Sequence, residues 1–285
     1  MRRARAGFTV AEILVSFFIF GFAMSILAYA LVSSKNILAE TVGSSDASQT
    51  LRKVYLSLEK DLRPGSYNFT DVTTSIGGPG SGTSGDAFWF LSAADPATEM
   101  QARTNSARPL WLRNIVYYTA IPTNHASLYG SNCAGGANAD GYDSFCPHKV
   151  LIRKTIDSGG ASVAGDEASE ESLLTVGNIG AYLSAPTGFN VPLAGAEDAH
   201  VVAPALLTFR VEKAPIASSW PDELRFRIQA TALEELGKTT KVGSTDLEAA
   251  PQTEVMEFSI FPEVPYSPSR RNRKSPGGDR AYRDL

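Results

Sequence analysis

The sequence predicts an α+β chain: one long N-terminal helix, a transmembrane half followed by an amphipathic half, packed on a head made of antiparallel β-sheet. Three features predict it. The run from Ile13 to Val32 holds no charged residue and no proline. Leu51, Val54, Tyr55, Leu58 and Leu62 fall at i, i+3, i+4, i+7 and i+11, which is one stripe on a helix. After Tyr67 come short β-like runs separated by turn residues, several of them alternating apolar and polar.

In the apolar run the polar interruptions are Ser16 and Ser25, with Gly21 between them. At a rise of ~1.5 Å per residue, about 20 residues cover the ~30 Å hydrocarbon core of a bilayer. A helix closes its backbone bonds internally, as lipid demands. Arg2, Arg3 and Arg5 precede the run, and the next basic residue is Lys35. The positive-inside rule therefore keeps the N-terminus cytoplasmic and exports the chain beyond Val32. Glu12 is the odd residue, because a carboxylate at the edge of such a run costs several kcal/mol. No small-x-small cleavage site of a secretory signal peptide follows a short apolar core.

From Ser33 to Leu62 no proline occurs, so the helix is expected to continue for about fifty residues in all, until Pro64-Gly65 ends it. Gly43-Ser44-Ser45 is the point where it is expected to bend or loosen. Strands are expected over 87–91, 114–120, 149–155, 206–212, 223–231 and 254–261. Their alternation predicts a sheet packed inside and polar outside, its apolar face partly covered by Thr50–Leu62. The glycine-rich stretch 77–85 lacks the Gly-Lys-Ser/Thr ending of a phosphate loop. Residues 124–146, 157–172 and 186–204 read as polar connections, and 265–285, with Arg270, Arg271, Arg273 and Lys274, as a disordered basic tail.

The chain has 285 residues, enough for an anchor helix and one sizeable domain, and its formal charge is −4. An acidic exported domain argues against nucleic-acid binding by bulk charge. Cys133 and Cys146 both lie beyond the apolar run, where export favours oxidation, and a bond between them stabilises by about 3 kcal/mol in the chain-entropy model. A metal pair is the alternative, but the spacing is not Cys-x-x-Cys and His148 alone adds little. His125, His148 and His200 are scattered and fit no hydrolase or metalloprotease motif, so no catalytic residue and no enzyme is expected. Asn138, Asp140 and Asp143 offer oxygens of the kind calcium takes, without the spacing of an EF-hand; a plain turn loop is the competing reading. No other cofactor is implied. Trp89, Trp111 and Trp220 lie in or beside strands, where core packing is the default.

A short basic leader ending in Gly7, then Phe8, then Glu12 ahead of an apolar helix resembles the processing signal of type IV pilins and type II secretion pseudopilins. The resemblance implies that a prepilin peptidase cuts between Gly7 and Phe8 and methylates the new amine of Phe8. Loss of residues 1–7 removes three arginines and takes the formal charge from −4 to −7. It also implies that Glu12 meets the N-terminal amine of a neighbouring subunit, a tolerable state for a buried acid. Val10-Ala11 departs from the commoner Leu-Ile or Leu-Val. The segments Leu58-Glu59-Lys60-Asp61-Leu62-Arg63, Leu112-Arg113-Asn114-Ile115-Val116-Tyr117-Tyr118, Leu151-Ile152-Arg153 and Trp220-Pro221-Asp222-Glu223-Leu224-Arg225-Phe226 occur in an order similar to J-type minor pseudopilins and PilW-type minor pilins. The long loops and basic tail depart from the secretion-system members and fit a lineage-specific pseudopilin such as those in Verrucomicrobia gene cassettes equally well.

The resemblance divides the chain into leader 1–7, transmembrane and assembly helix 8–32, amphipathic continuation 33–63, periplasmic head 64–264 and tail 265–285. The implied function is that of a minor pilin or pseudopilin that initiates or caps a fibre. Its implied partners are the peptidase, other pilin-like subunits and inner-membrane lipid. The alternative is a membrane-anchored binding module, an adhesin or DNA-uptake tip, using residues 124–146 or the tail.

Overall fold

The computed structural model describes residues 9–77, 82–95, 98, 100–129, 141–142, 146–214, 223–232 and 253–262. Helix α1 runs unbroken from Val10 to Leu62, 53 residues. Gly43-Ser44-Ser45 does not interrupt it. Gly43 is instead the first buried residue met along the described helix, and the Ser44 hydroxyl donates to Glu254 at 2.6 Å.

Then come strands β1 (Thr70–Thr74), β2 (Asp86–Ser92) and β3 (Arg113–Ala120), the short helix α2 (His125–Tyr129), strand β4 (Lys149–Ile156), the turn-long helix α3 (Val176–Ile179), and strands β5 (Asp198–Ala214), β6 (Glu223–Thr231) and β7 (Thr253–Ile260). The seven strands form one sheet in chain order, every neighbouring pair antiparallel. Each of the six expected strands is present. β1 was not expected: Thr70-Asp71-Val72-Thr73-Thr74 has one large apolar residue and carries little alternating signal. β5 starts at Asp198, inside the segment read as a connection, because β4 supplies partners for Asp198 to Val201 whatever their polarity.

One sheet face packs on α1. Ala47, Leu51, Val54, Leu58 and Leu62 are buried against Phe88, Phe90, Tyr117, Phe209, Phe226 and Ile228. Phe226 is its hub, stacked on Phe258 at 5.2 Å and edge-on to Phe88 at 5.6 Å, while Tyr55 meets Phe258 edge-on at 5.0 Å. Full burial of each large side chain contributes about 1.5–3 kcal/mol.

The opposite face corrects the expected one-sided sheet. All residues of β2 and β3 are buried, on both faces. Residues 171–196 fold back over β2–β4 and bring Leu174, Ile179, Val191 and Ala196 against Trp89, Val116, Tyr118, Val150 and Ile152. The Trp89 indole donates to the Leu174 carbonyl at 2.8 Å. Only β6 and β7 keep the expected alternation, Arg225, Arg227 and Glu257 remaining exposed. At the start of β2, Gly85 has φ +151°, and a Cβ there would lie 2.3 Å from the Thr119 hydroxyl, so only glycine fits.

The end of α1 is fastened by a polar lock. Asp61 accepts from the Tyr117 hydroxyl at 2.6 Å and from Arg153 Nε at 2.6 Å, and Tyr117 also meets the Ser57 hydroxyl at 2.8 Å. Burial, then the Asp61 charge, pushes the Tyr117 phenol far up, so it stays a donor. Asp61→Ala removes the partner of Arg153 Nε in the helix–sheet seam and leaves the guanidinium with Thr155 at 3.0 Å and Asp198 at 3.8 Å. The expected loss is about 3 kcal/mol by denaturant unfolding in detergent, and Arg153→Met in the same background should recover part of it; a loss below about 1 kcal/mol would mean the lock contributes no more than a surface pair.

Candidate functional site

The part of the chain that reaches away from the head is the first half of α1. From Val10 to Val42 no described residue is buried. Its large apolar side chains point all round the helix, with Phe18 77% and Tyr29 78% exposed. A helix apolar on every side has no solvated face. So continuous an apolar surface does not stay in water. The helix is long and apolar enough to cross a membrane, and its first 23 residues, Val10 to Val32, measure ~35 Å. The hydroxyls inside the run cost little in lipid because each bonds within the helix: Ser16 to the Glu12 carbonyl at 2.7 Å and Ser25 to the Gly21 carbonyl at 2.9 Å.

At its tip, Thr9 and Glu12 form a capping box. The Glu12 amide donates to Thr9 Oγ1 at 3.3 Å, while Glu12 Oε2 accepts from the Thr9 amide at 2.8 Å and its hydroxyl at 2.9 Å. The acid at the edge of the run thus holds donors at the entry to the helix, beside Ile13, Ser16, Phe17 and Phe20, which line a shallow apolar depression. Gly7 and Phe8 lie outside the described residues, as do Cys133, Asn138, Asp140, Asp143, Trp220 and the tail 265–285. Cys146 is fully buried and is not a free thiol.

Of the three histidines, the fold brings two together. His125, at the start of α2, and His148, just before β4, have ring centres 5.7 Å apart, and Tyr129 stacks on His148 at 4.2 Å. His200 is exposed and meets Asp198 at 3.0 Å. Trp111 is buried and packs on Phe69 at 5.2 Å. Among the described residues no three His, Cys, Asp or Glu converge on one point.

Several polar residues that organise the head were not singled out in the sequence. Lys154 is fully buried, its ammonium donating to the carbonyls of Tyr182 (2.8 Å), Pro192 (2.7 Å) and Leu193 (3.3 Å) and to the Ser184 hydroxyl (2.9 Å). Asn114 donates to the Ser172 carbonyl at 2.9 Å and accepts from the Leu174 amide at 3.1 Å. Arg113 reaches Asp157 at 3.1 Å. Together they bind the loop layer to β3 and β4. The signal was parity: Lys154 shares a strand face with Val150, Ile152 and Ile156, and Asn114 with Val116 and Tyr118. On the face of β5–β7 away from α1 a cleft of 680 Å³ is lined by Tyr142, Arg210, Arg225, Arg227 and Glu257. There the Arg210 guanidinium lies 4.3 Å over the Tyr142 ring, whose hydroxyl donates to Asp86 at 2.7 Å. Comparison with protein families, with curated proteins and with solved structures gives no match.

Burial pulls the Lys154 ammonium down to about 8 from its ordinary 10.5. The folded chain therefore holds this proton less tightly than the unfolded chain. Between about pH 8 and 10.5 the unfolded state binds more protons, and this group's contribution to stability rises with pH across that window. The difference in unfolding free energy between the native chain and Lys154→Met should widen in the native chain's favour over that range. At pH 7 Lys154→Met, which strands three carbonyls, should cost about 2 kcal/mol.

Proposed function

We propose that the chain is a pilin-like structural subunit, a minor pilin or pseudopilin, anchored in the bacterial inner membrane and assembling with other pilin-like subunits at the start or tip of a fibre. The observation that carries the reading is the division of one unbroken helix: its first part is apolar on all sides and free of the head, while its last part is the wall of the head's core. A simple anchor has no need of rigid continuity between the two. A subunit that packs through its stem and displays a head does. The Gly7-Phe8 junction and Glu12 stand at the N-terminal end of that stem, as the resemblance requires. On this reading the chain crosses once, with its N-terminus cytoplasmic and its head periplasmic. The prepilin peptidase cuts before Phe8, and a bond between Cys133 and Cys146 closes a loop of the exported head. A head this broad, a seven-stranded sheet carrying a second layer, suits a fibre end better than a position repeated along its length.

The mass of the N-terminal peptide from the membrane fraction tests the processing. A peptide that begins at Phe8 and carries one extra methyl group is expected; a chain that still begins at Met1 or Arg2 would overturn the assignment. Glu12→Val should leave membrane insertion intact and reduce the chain's co-purification with other pilin-like subunits by about tenfold. Assembly at the native level in that variant would remove Glu12 from its proposed role.

A further inference from the structure

We infer that His125 and His148 form a two-histidine site for a divalent transition metal of the zinc or copper type. The two side chains come from separate elements, the first turn of α2 and the residue that leads into β4, and their ring centres lie 5.7 Å apart with the planes tilted by 45°. Two imidazoles that share one ion through bonds of ~2.0–2.1 Å place their ring centres roughly 5–6 Å apart, and the observed spacing falls in that range. His125 Nδ1 lies 3.0 Å from the Pro122 carbonyl, which can only accept. That carbonyl fixes the proton on Nδ1 and leaves Nε2 as the basic nitrogen, the arrangement in which backbone carbonyls orient metal-binding histidines.

His148 is 5% exposed, so its ring is held in place by the packing around it. Beside it the Tyr129 hydroxyl is buried and has no hydrogen-bond partner among the described residues. An orphaned phenol costs about 1–3 kcal/mol, which a metal-bound water or the ion itself would repay. His125 is half-buried and its neighbours Ala126 and Ser127 are exposed, so an ion has a way in from solvent. With two protein nitrogens, the remaining positions of a tetrahedral ion are open to water or to a donor from another molecule. The ligand chemistry selects zinc, copper or nickel over calcium and magnesium, which take oxygen. Bound there, the ion ties α2 to the start of β4, beside Cys146.

The test is isothermal titration of the untagged, chelator-stripped full chain in detergent with zinc chloride, then with copper and calcium chlorides. One zinc or copper per chain is expected, with no calcium heat. His125→Gln should weaken binding about a hundredfold or abolish it, and His148→Gln likewise, whereas His200→Gln should bind as the native chain does. Because His148 is buried, the His125→Gln result decides if the His148 variant unfolds. The thermal midpoint should rise with zinc in the native chain and not in His125→Gln. No zinc or copper binding in the folded native chain, or undiminished binding in folded His125→Gln, overturns the inference.

Discussion

The head depends on the burial of one helical stripe. Leu51, Val54, Leu58 and Leu62 cover the middle of a sheet that would otherwise expose Phe88, Phe90, Phe209 and Phe226. Those aromatics come from β2, β5 and β6, far apart in the sequence, and α1 is the element that spans them. An antiparallel meander closes its backbone bonds pair by pair, but it gains a folded core only when something covers its apolar face. The stem therefore cannot be separated from the head. The last turns of α1 are held by apolar contact along the stripe and by Asp61, which meets Tyr117 of β3 and Arg153 of β4 at the helix end.

A second layer gives the sheet its unusual polar interior. Covering β2–β4 with a chain segment that has little regular structure leaves many carbonyls to satisfy. Here long side chains do what a helix or strand does with its own backbone. Lys154 serves three carbonyls at once, and Asn114 makes the paired contacts of a missing strand neighbour. The desolvation of these groups is tolerable because nearly every donor finds an acceptor. The other half of the same face, at β5–β7, carries Arg225, Arg227 and Glu257, which remain exposed.

These two halves explain what was legible in the sequence. Strand positions were readable because β-runs such as Leu224 to Gln229 alternate between a core and solvent. A helix of about fifty residues was readable because no proline breaks it, although Gly43-Ser44-Ser45, read as the point where it bends or loosens, does not interrupt it. The second layer was not readable, since its residues between Asp157 and Glu197 are polar and turn-rich, and burial there is enforced by partners far away in sequence. A lysine in the row Val150, Ile152, Lys154, Ile156 is the local mark that something polar waits across the face. The His125–His148 pair is likewise invisible along the chain, because α2 and β4 are joined by 19 residues that carry no periodic signal.

Glu12 shows how a single residue can satisfy two states. A lone carboxylate at the rim of an apolar helix is costly in lipid, and on the proposed reading, in which the chain enters the bilayer before it meets partners, that cost has to be reduced at once. The capping box does this: the carboxylate takes the amide and hydroxyl of Thr9, donors that would themselves be unmet at a helix start. Two neutral donors compensate an anion only in part, whereas a cationic amine compensates it more fully. On the proposed reading, cutting before Phe8 places a new amine one residue from Thr9, and the stems of adjacent subunits bring such amines alongside one another's Glu12. The acid then exchanges a local, partial partner for a charged one supplied by assembly, and the difference between the two favours the packed stems over the isolated one. On the proposed reading that difference grows where packed stems exclude water from the carboxylate, so the apolar stem and the acid at its edge act as a unit.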